Sequence, residues 1–312
     1  MTLFELRQTV LLLITATIWG CTFVAQSVGM DHVGPFTFTA SRMCLGALFL
    51  LGPVLFMRSR LRKTKPAEYE RRRSPEYVRA LITGGAACGL CLFAAESFQQ
   101  FGLAAEIEAG KSGFITALYI VLVPILGLFL GKRSRPAIWV AVAVACVGLW
   151  YLCIPADGSF TLSAADLYTL LCAFVFSCHI LVISHFVVRV NPVELSMMQF
   201  AVGSALACAA MLLFESPEWD GWVAALIPIL WAGIMSNGIA YTLQIVGQRG
   251  MNDTVASLIM SLESVVSVLA GWLLLNEVLS GRELFGCVVM AAAVVIAQLP
   301  ERKSAKKSKA SA

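Results

Sequence analysis

Ten long apolar stretches, separated by short polar connections, dominate this sequence. A helix that crosses a bilayer needs about 20 mostly apolar residues, and ten stretches reach or approach that length. Of the 312 residues, 59% are hydrophobic and 13% are charged, whereas a soluble domain carries about 25% charged residues. The sequence therefore predicts an all-α polytopic membrane protein and argues against a soluble enzyme, a disordered chain or a disulfide scaffold. The ten predicted transmembrane helices are 9–28, 35–57, 80–101, 112–130, 137–154, 164–188, 192–214, 222–246, 254–275 and 284–299.

Lysine and arginine residues lie almost entirely on one side of this arrangement. If the N-terminus is in the cytoplasm, 20 of the 23 fall in cytoplasmic segments and two in external loops, and Arg42 lies within a span. Nine of them occupy residues 58–79, and five lie in the C-terminal tail 301–312. Because positively charged residues are retained in the cytoplasm, both termini are predicted to be cytoplasmic. The basic tail is interpreted as lipid-associated and not as a nucleic-acid site.

The sequence also matches itself at two offsets. A shift of 145 residues aligns the third to fifth spans with the eighth to tenth and pairs Gln99 with Gln244. A shift of 157 residues aligns the first two spans with the sixth and seventh. These shifts predict two five-helix repeats, residues 1–155 and 156–300, and because five is odd the second repeat enters the membrane upside down. Inverted repeats are typical of secondary transporters, whose binding site lies between the repeats near the middle of the membrane.

Four short motifs point to a known family. They are the run 273–280 (Leu-Leu-Leu-Asn-Glu-Val-Leu-Ser) with Gly286, the pair Trp19-Gly20, Pro35 with Arg42, and Ser261-Leu-Glu263-Ser264. Together they resemble EamA-type transporters of the drug/metabolite transporter superfamily, over nearly the whole chain and in two copies. The resemblance implies a ten-helix exporter or exchanger of small metabolites. The chain departs from the family pattern at Ser264, where proline is usual, at Asn276-Glu277, where Gly-Glu is usual, and at Lys132, the acidic position of the first copy.

Ionisable side chains inside a membrane are costly, so they face a cavity or a partner. Glu263, in the ninth span, could exchange a proton during transport, or it could hold two helices together through a hydrogen bond. Arg42 and Glu96 lie at similar depths in neighbouring helices and are interpreted as a structural ion pair, the alternative being that Arg42 holds a substrate carboxylate. His179 could relay protons or bind substrate, although a lone histidine is more often a packed, hydrogen-bonded residue.

Uncharged amides and aromatic residues form a second group of candidates for a binding site. Amides donate and accept hydrogen bonds without charge, which suits a polar or zwitterionic solute. Their alternative role is hydrogen bonding between helices, worth about 0.6–2 kcal/mol each. Aromatic side chains could line or gate the same cavity. The candidates are Gln26, Gln99, Asn237 and Gln244 among the amides, and Trp19, Tyr119 and Tyr241 among the aromatic residues.

Three motifs that suggest other chemistry carry less weight. Cys88-x-x-Cys91 lies in an apolar stretch without a second ligand pair, so it is interpreted as packing, and no metal or cofactor is predicted. The segment 110–112, Gly-Lys-Ser, lacks the earlier glycine and the strand of a phosphate-binding loop. It also resembles the G-x-S-G motif of rhomboid intramembrane proteases, but Ser112 falls at the outer end of its span whereas His179 lies deep in another.

The sequence therefore predicts a secondary transporter, not an enzyme, in the plasma membrane (the inner membrane of a bacterium). It is expected to move a small polar metabolite, such as an amino acid, by alternating access with proton coupling or exchange. Its expected partners are the solute, protons and the lipid bilayer, and no nucleic acid is expected. Whether the protein forms a homodimer is left open. The alternatives are a passive facilitator without proton coupling, an intramembrane serine hydrolase that depends on Ser112, and a non-transporting subunit of a larger complex.

Overall fold

A computed structural model describes residues 2–105, 107, 109–132, 134–153, 163–274 and 280–299. The Asn276-Glu277 motif and the basic tail 301–312 lie outside these residues. Every regular element in the described part of the chain is a helix. The helices are α1 (Leu3–Met30), α2 (Pro35–Thr64), α3 (Pro66–Arg71), α4 (Pro75–Ala104), α5 (Ala109–Ala117), α6 (Tyr119–Phe129), α7 (Pro136–Cys153), α8 (Ala164–Phe186), α9 (Pro192–Phe214), α10 (Trp219–Ala224), α11 (Leu226–Leu230), a π-helix (Trp231–Ala240), α12 (Tyr241–Gln248), α13 (Asp253–Met260), α14 (Glu263–Leu274) and α15 (Gly281–Gln298).

Long apolar segments account for most of this helical structure. Within the described residues, nine are long and apolar enough to cross a membrane, and a shorter apolar helix covers Pro136–Tyr151 at the position of the predicted fifth span. Large apolar side chains such as Phe56, Phe129 and Ile227 lie on the outer surface with about three quarters of their area exposed. A surface of this kind suits contact with lipid and not with water. The chain is therefore a polytopic membrane protein.

Three of the predicted spans are not the continuous α-helices that the sequence suggested. Span 112–130 divides at Leu118 into α5 and α6, and span 254–275 divides at 261–262 into α13 and α14. Near the second break, the Ser261 hydroxyl donates to Leu258 O at 2.8 Å, and serine side chains that bond nearby carbonyls compete with the helical ladder. Span 222–246 contains the ten-residue π-helix between α11 and α12, a rare form that is frequent at functional sites.

The two ends of the bundle are joined by hydrogen bonds between distant parts of the chain. At the end that carries Leu3 and Leu299, called here the termini end, the Gln8 amide donates to Val246 O and Arg249 O at 2.9 and 2.8 Å. At the opposite end, the Glu215 carboxylate accepts from Phe36 N, at 2.8 Å, and from Thr37 N, at 2.7 Å. Those donors belong to the first turn of α2, so Glu215 caps that helix and tethers it to α9.

Helices from the first half of the chain pack mainly on helices from the second half. The closest partnerships join α1 with α14, α2 with α9, α4 with both α8 and α9, and α7 with α15. Close approach of α4 to α9 depends on Gly89, since a Cβ there would lie 2.6 Å from Gln199 O and 2.9 Å from Val202 Cβ. Glycine therefore lets the two backbones touch, as small residues do in membrane helix packing.

Replacing Gly89 with alanine should separate α4 from α9. We expect Gly89→Ala to lower the apparent Tm of the detergent-purified protein by roughly 3–10 °C, because overpacking costs about 1–3 kcal/mol. The matched control is Gly127→Ala in α6, where the new Cβ would meet Lys132 Cβ at an ordinary 3.8 Å. Equal Tm values for the two variants would contradict this account of the α4–α9 contact.

Candidate functional site

A small cavity of about 30 Å³ lies among the helices of both halves. It has room for about two water molecules. Its walls come from α1, α2, α4, α5, α6, α8, the π-helix, α12 and α14. Of the residues that the sequence singled out, the lining includes Trp19, Gln26, Arg42, Gln99, Tyr119, Tyr241, Gln244 and Glu263.

A buried ion pair borders this cavity. Arg42 Nε lies 2.8 Å from Glu96 Oε2, and the two side chains are 2% and 0% exposed. The same guanidinium donates from Nη1 to Gln26 Oε1 at 2.6 Å, while Nη2 is buried and has no hydrogen-bond partner among the described residues. The pair thus joins α2 to α4, and it leaves one donor of Arg42 unused in the wall of the cavity.

Glu263 meets Tyr119 where the two divided helices face each other. The Tyr119 hydroxyl donates to Glu263 Oε1 at 2.9 Å, and both side chains are buried. Tyr119 is the first residue of α6 and Glu263 is the first residue of α14, so each side chain leaves its helix directly after a break. Close by, the Ser264 hydroxyl donates to Gly113 O at 3.1 Å, which ties α14 to α5 as well.

Aromatic rings form another wall of the cavity. The rings of Trp19 and Tyr241 lie 4.7 Å apart between centroids, and Phe200 packs edge-on against Tyr241 at 5.6 Å. The His179 ring lies edge-on to Tyr241, with the ring centroids 6.1 Å apart. Its Nε2 donates to Gln199 Oε1 at 3.0 Å and it is fully buried, outside the lining of the cavity. The histidine is therefore one layer removed from any solute in this cavity.

The predicted amides divide into two groups. Gln26, Gln99 and Gln244 line the cavity, whereas Asn237, in the π-helix, is fully buried and faces Glu96 beside Tyr241. Asn237 thus lies outside the cavity lining, and neither polar atom of its side chain makes a hydrogen bond within the described residues. Asn237 belongs to the π-helix, whose turns are wider than those of an α-helix. The irregular helix therefore lies next to the buried charge of Glu96.

Some lining residues were missed by the sequence analysis although a periodic signal marks several of them. Thr22 and Phe23 follow Trp19 by three and four residues and precede Gln26 on the same face of α1, which is the spacing of one helical face. Thr116 and Tyr119 are also three residues apart and line the same cavity. The other missed residues are Phe176, Ile180 and Ser236.

The arrangement of Ser112 does not fit a serine hydrolase. Ser112 is buried in α5, but its hydroxyl has no hydrogen-bond partner among the described residues, and the His179 Nε2 is engaged with Gln199. A nucleophilic serine needs a base within hydrogen-bonding reach. No group of three His, Cys, Asp or Glu residues that could hold a metal ion is present within the described ranges.

The fold and the family of the chain follow from comparison with known proteins. A solved structure described only as the crystal structure of a protein superimposes with a TM-score of 0.73 at 20% identity, and the match covers 93% of this chain and 96% of the other. A multi-pass helical bundle around a buried polar cavity is an architecture found among membrane transporters.

The family model described as EamA-like transporter family matches residues 7–154 and 163–298. The chain therefore belongs to the EamA-like transporter family, within the drug/metabolite transporter superfamily. An "uncharacterized transporter" of Archaeoglobus fulgidus is 28% identical over 290 residues, which is 92% of this chain and 84% of that protein. The "uncharacterized transporter YoaV" of Bacillus subtilis is 20% identical over 284 residues, 89% of this chain and 91% of its own length.

The Arg42–Glu96 contact leads to a specific prediction about the stability of the folded protein. Arg42→Gln leaves Glu96 as a buried charge without its partner, so we expect a loss of about 3–5 kcal/mol and a low yield of folded protein. The double variant Arg42→Gln with Glu96→Gln should recover most of that loss, because neither charge is then stranded. Thermal unfolding in detergent measures the stability of the single and the double variant. Arg189→Gln, at an exposed arginine, is the control. A double variant as unstable as the single one would contradict a direct pair.

Proposed function

We propose that this transporter is a secondary carrier that exports or exchanges small zwitterionic metabolites, amino acids first among them, across the plasma membrane. The observation that carries the proposal is the lining of the central cavity, where Arg42 and Glu263 provide charges of opposite sign with Gln26, Gln99 and Gln244 around them. A zwitterion offers a carboxylate and an ammonium group, which match these two charges. The amides match further polar groups without adding net charge.

Charge balance in the cavity favours a solute with an amine. Arg42 is already paired with Glu96, whereas Glu263 accepts a hydrogen bond from the neutral Tyr119 hydroxyl. The free Nη2 of Arg42 can donate to a solute carboxylate, and Glu263 can receive either an ammonium group or a proton. A carboxylate that takes one or the other in turn would couple solute movement to proton movement in the opposite direction.

The transport mechanism that we infer is alternating access between two inverted five-helix repeats, 1–155 and 156–300, with ten spans and cytoplasmic termini. Three observations support the repeats. The family model matches two separate segments. The 145-residue shift brings Leu118, at the first helix break, onto Glu263, next to the second break. In addition, α2 packs on α9 and α7 packs on α15, and each of these pairs joins equivalent helices of the two repeats.

The volume of the cavity requires a change of conformation during transport. A cavity with room for about two water molecules is too small to enclose an amino acid, so in our proposal it belongs to a closed state. Ion pairs between the two halves close both ends. Lys132 Nζ lies 2.7 Å from Asp253 Oδ2 at the termini end, and Lys111 Nζ lies 2.8 Å from Asp166 Oδ1 at the opposite end. Opening one pair while the other stays closed would expose the cavity to one side at a time.

Proteoliposome transport tests the proposed function directly. The purified protein would be reconstituted with a panel of labelled amino acids and related metabolites, with and without an imposed pH gradient. Accumulation driven by the gradient is expected for a proton-coupled carrier. Equilibration of solute that ignores the gradient would identify a passive facilitator or an exchanger instead, and would overturn the proton-coupled part of the proposal.

Replacing Glu263 with glutamine tests whether this residue couples proton movement to solute transport. Glu263→Gln keeps the shape of the side chain and a hydrogen bond to Tyr119 but cannot exchange a proton, so we expect gradient-driven accumulation to fall at least about tenfold. Solute exchange without a gradient should fall much less. Glu76→Gln, at an exposed carboxylate in the first turn of α4, is the matched control. Unchanged accumulation in Glu263→Gln would exclude Glu263 as the coupling residue.

The ion pair at the termini end should control opening on that side. Lys132→Ala removes a half-exposed pair, worth about 0.5–1 kcal/mol, so amide hydrogen exchange around residues 249–256 should rise about two- to fivefold. Exchanging the charges in Lys132→Asp with Asp253→Lys should restore protection. The control is Arg189→Ala, at an exposed arginine of the same end. Equal exchange in the Lys132 and Arg189 variants would argue against a closing role for the pair.

A further inference from the structure

A second cavity, far from the central one, lies at the termini end of the bundle. It has a volume of about 80 Å³ and is lined by Arg58 and Leu61 from the end of α2 and by Tyr69, Arg72 and Arg73 from α3 and the residues that follow it. Every polar side chain in this lining is a guanidinium or a phenol. The cavity, called here the arginine cavity, therefore presents hydrogen-bond donors and positive charge.

A buried carboxylate holds two of these arginines in place. Glu194 is fully buried at the start of α9, and its Oε1 accepts from Arg58 Nε at 2.8 Å and lies 3.8 Å from Arg72 Nη1. Its other oxygen accepts from the Tyr77 hydroxyl. Since Arg58 uses only Nε for Glu194, its two terminal nitrogens make no hydrogen bond among the described residues. The bond through Nε therefore orients the guanidinium of Arg58, which is 42% exposed, and leaves its terminal donors available to a ligand.

The other carboxylates near the arginine cavity leave it positively charged. Arg71 bonds Glu68 through both Nε and Nη2, at 2.7 and 2.8 Å, and Arg72 bonds it through Nε at 2.9 Å. These hydrogen bonds lower the pKa of Glu68 to about 2, so Glu68 is ionised at neutral pH and compensates Arg71. Arg73, which is 64% exposed, has only a loose contact with Glu70 at 3.6 Å, and its guanidinium lies over the Tyr69 ring at 5.6 Å.

The position of the arginine cavity along α2 corresponds to the level of lipid headgroups. Leu55 and Phe56 are 58% and 70% exposed on the outer surface of α2, where they face lipid. Arg58 and Leu61 follow Phe56 by two and five residues, which is about 3–8 Å at 1.5 Å per residue. Each headgroup layer extends about 5–8 Å beyond the hydrocarbon core, so the arginines reach the depth of the phosphates.

We propose that the arginine cavity is a binding site for a phosphate group, held by Arg58, Arg72 and Arg73 with the Tyr69 hydroxyl. A phosphate offers several acceptor oxygens on one small anion, and the planar guanidinium group of arginine can bind two of them with parallel hydrogen bonds. The phosphate can come from an anionic phospholipid in the adjacent leaflet or from a free phosphate in solution. Basic pockets at the membrane surface bind lipid headgroups in this way.

Native mass spectrometry of the full-length protein in detergent tests this site without any transport assay. The protein would be titrated with phosphatidylglycerol, and the binding constant compared between Arg73→Gln and Arg79→Gln. Both variants remove one exposed charge from the segment 58–79, but Arg79 does not line the cavity. We expect Arg73→Gln to weaken binding about tenfold, as for loss of one charged hydrogen bond, and Arg79→Gln to weaken it less than twofold.

Competition with inorganic phosphate identifies the source of the ligand. If millimolar phosphate leaves the lipid bound while Arg73→Gln releases it, the site takes a lipid phosphate. If phosphate displaces the lipid from the unmodified protein, and less readily from Arg73→Gln, the site takes the free anion. Equal weakening of lipid binding by Arg73→Gln and Arg79→Gln would mean a diffuse attraction between charges and would overturn the proposed site.

Discussion

The packing of this structure depends on charged side chains that are buried at the centre of the helical bundle. Arg42 and Glu96 are almost completely removed from solvent and lie 2.8 Å apart, and breaking such a pair costs about 3–5 kcal/mol. The helices that bring them together come from the first half of the chain, while Tyr241 and Asn237, which face Glu96, come from the second. The buried charge therefore lies where the two halves of the chain meet, beside the central cavity.

In the proposed alternating-access mechanism, the same arrangement allows a closed state that is stable and can still open. The interior depends on packing that glycine permits, as at Gly89, whereas the two ends are held by ion pairs that solvent reaches. Lys132 is 43% exposed, so its pair with Asp253 contributes about 0–1 kcal/mol. At the other end Lys111 is 26% exposed, whereas its partner Asp166 is fully buried. Ion pairs that water reaches at the ends and a tightly packed centre suit the proposed rocking of the two halves about a fixed centre.

Sequence patterns predict the helical class, the apolar segments and much of the cavity, because apolar length and helical faces are local properties. Trp19 and Gln26 could be placed in one wall for that reason. The breaks at Leu118 and at residues 261–262, the π-helix, and the capping of α2 by Glu215 could not be predicted in this way. Each depends on contacts between residues far apart in the chain, such as the bonds from Glu215 to Phe36 and Thr37. His179 was a candidate by type, but its hydrogen bond to Gln199 puts it behind Tyr241.

Alternating access can be measured most directly as a pair of distances between spin labels. One pair would be placed at exposed Leu130 and Arg249, beside the Lys132–Asp253 closure, and the other at exposed Ala105 and Leu167, beside Lys111–Asp166. The protein would be reconstituted in nanodiscs and measured over a range of pH and with a transported solute. The account predicts that one distance lengthens while the other shortens. Distances that lengthen together, or that stay fixed under conditions of active transport, would contradict it.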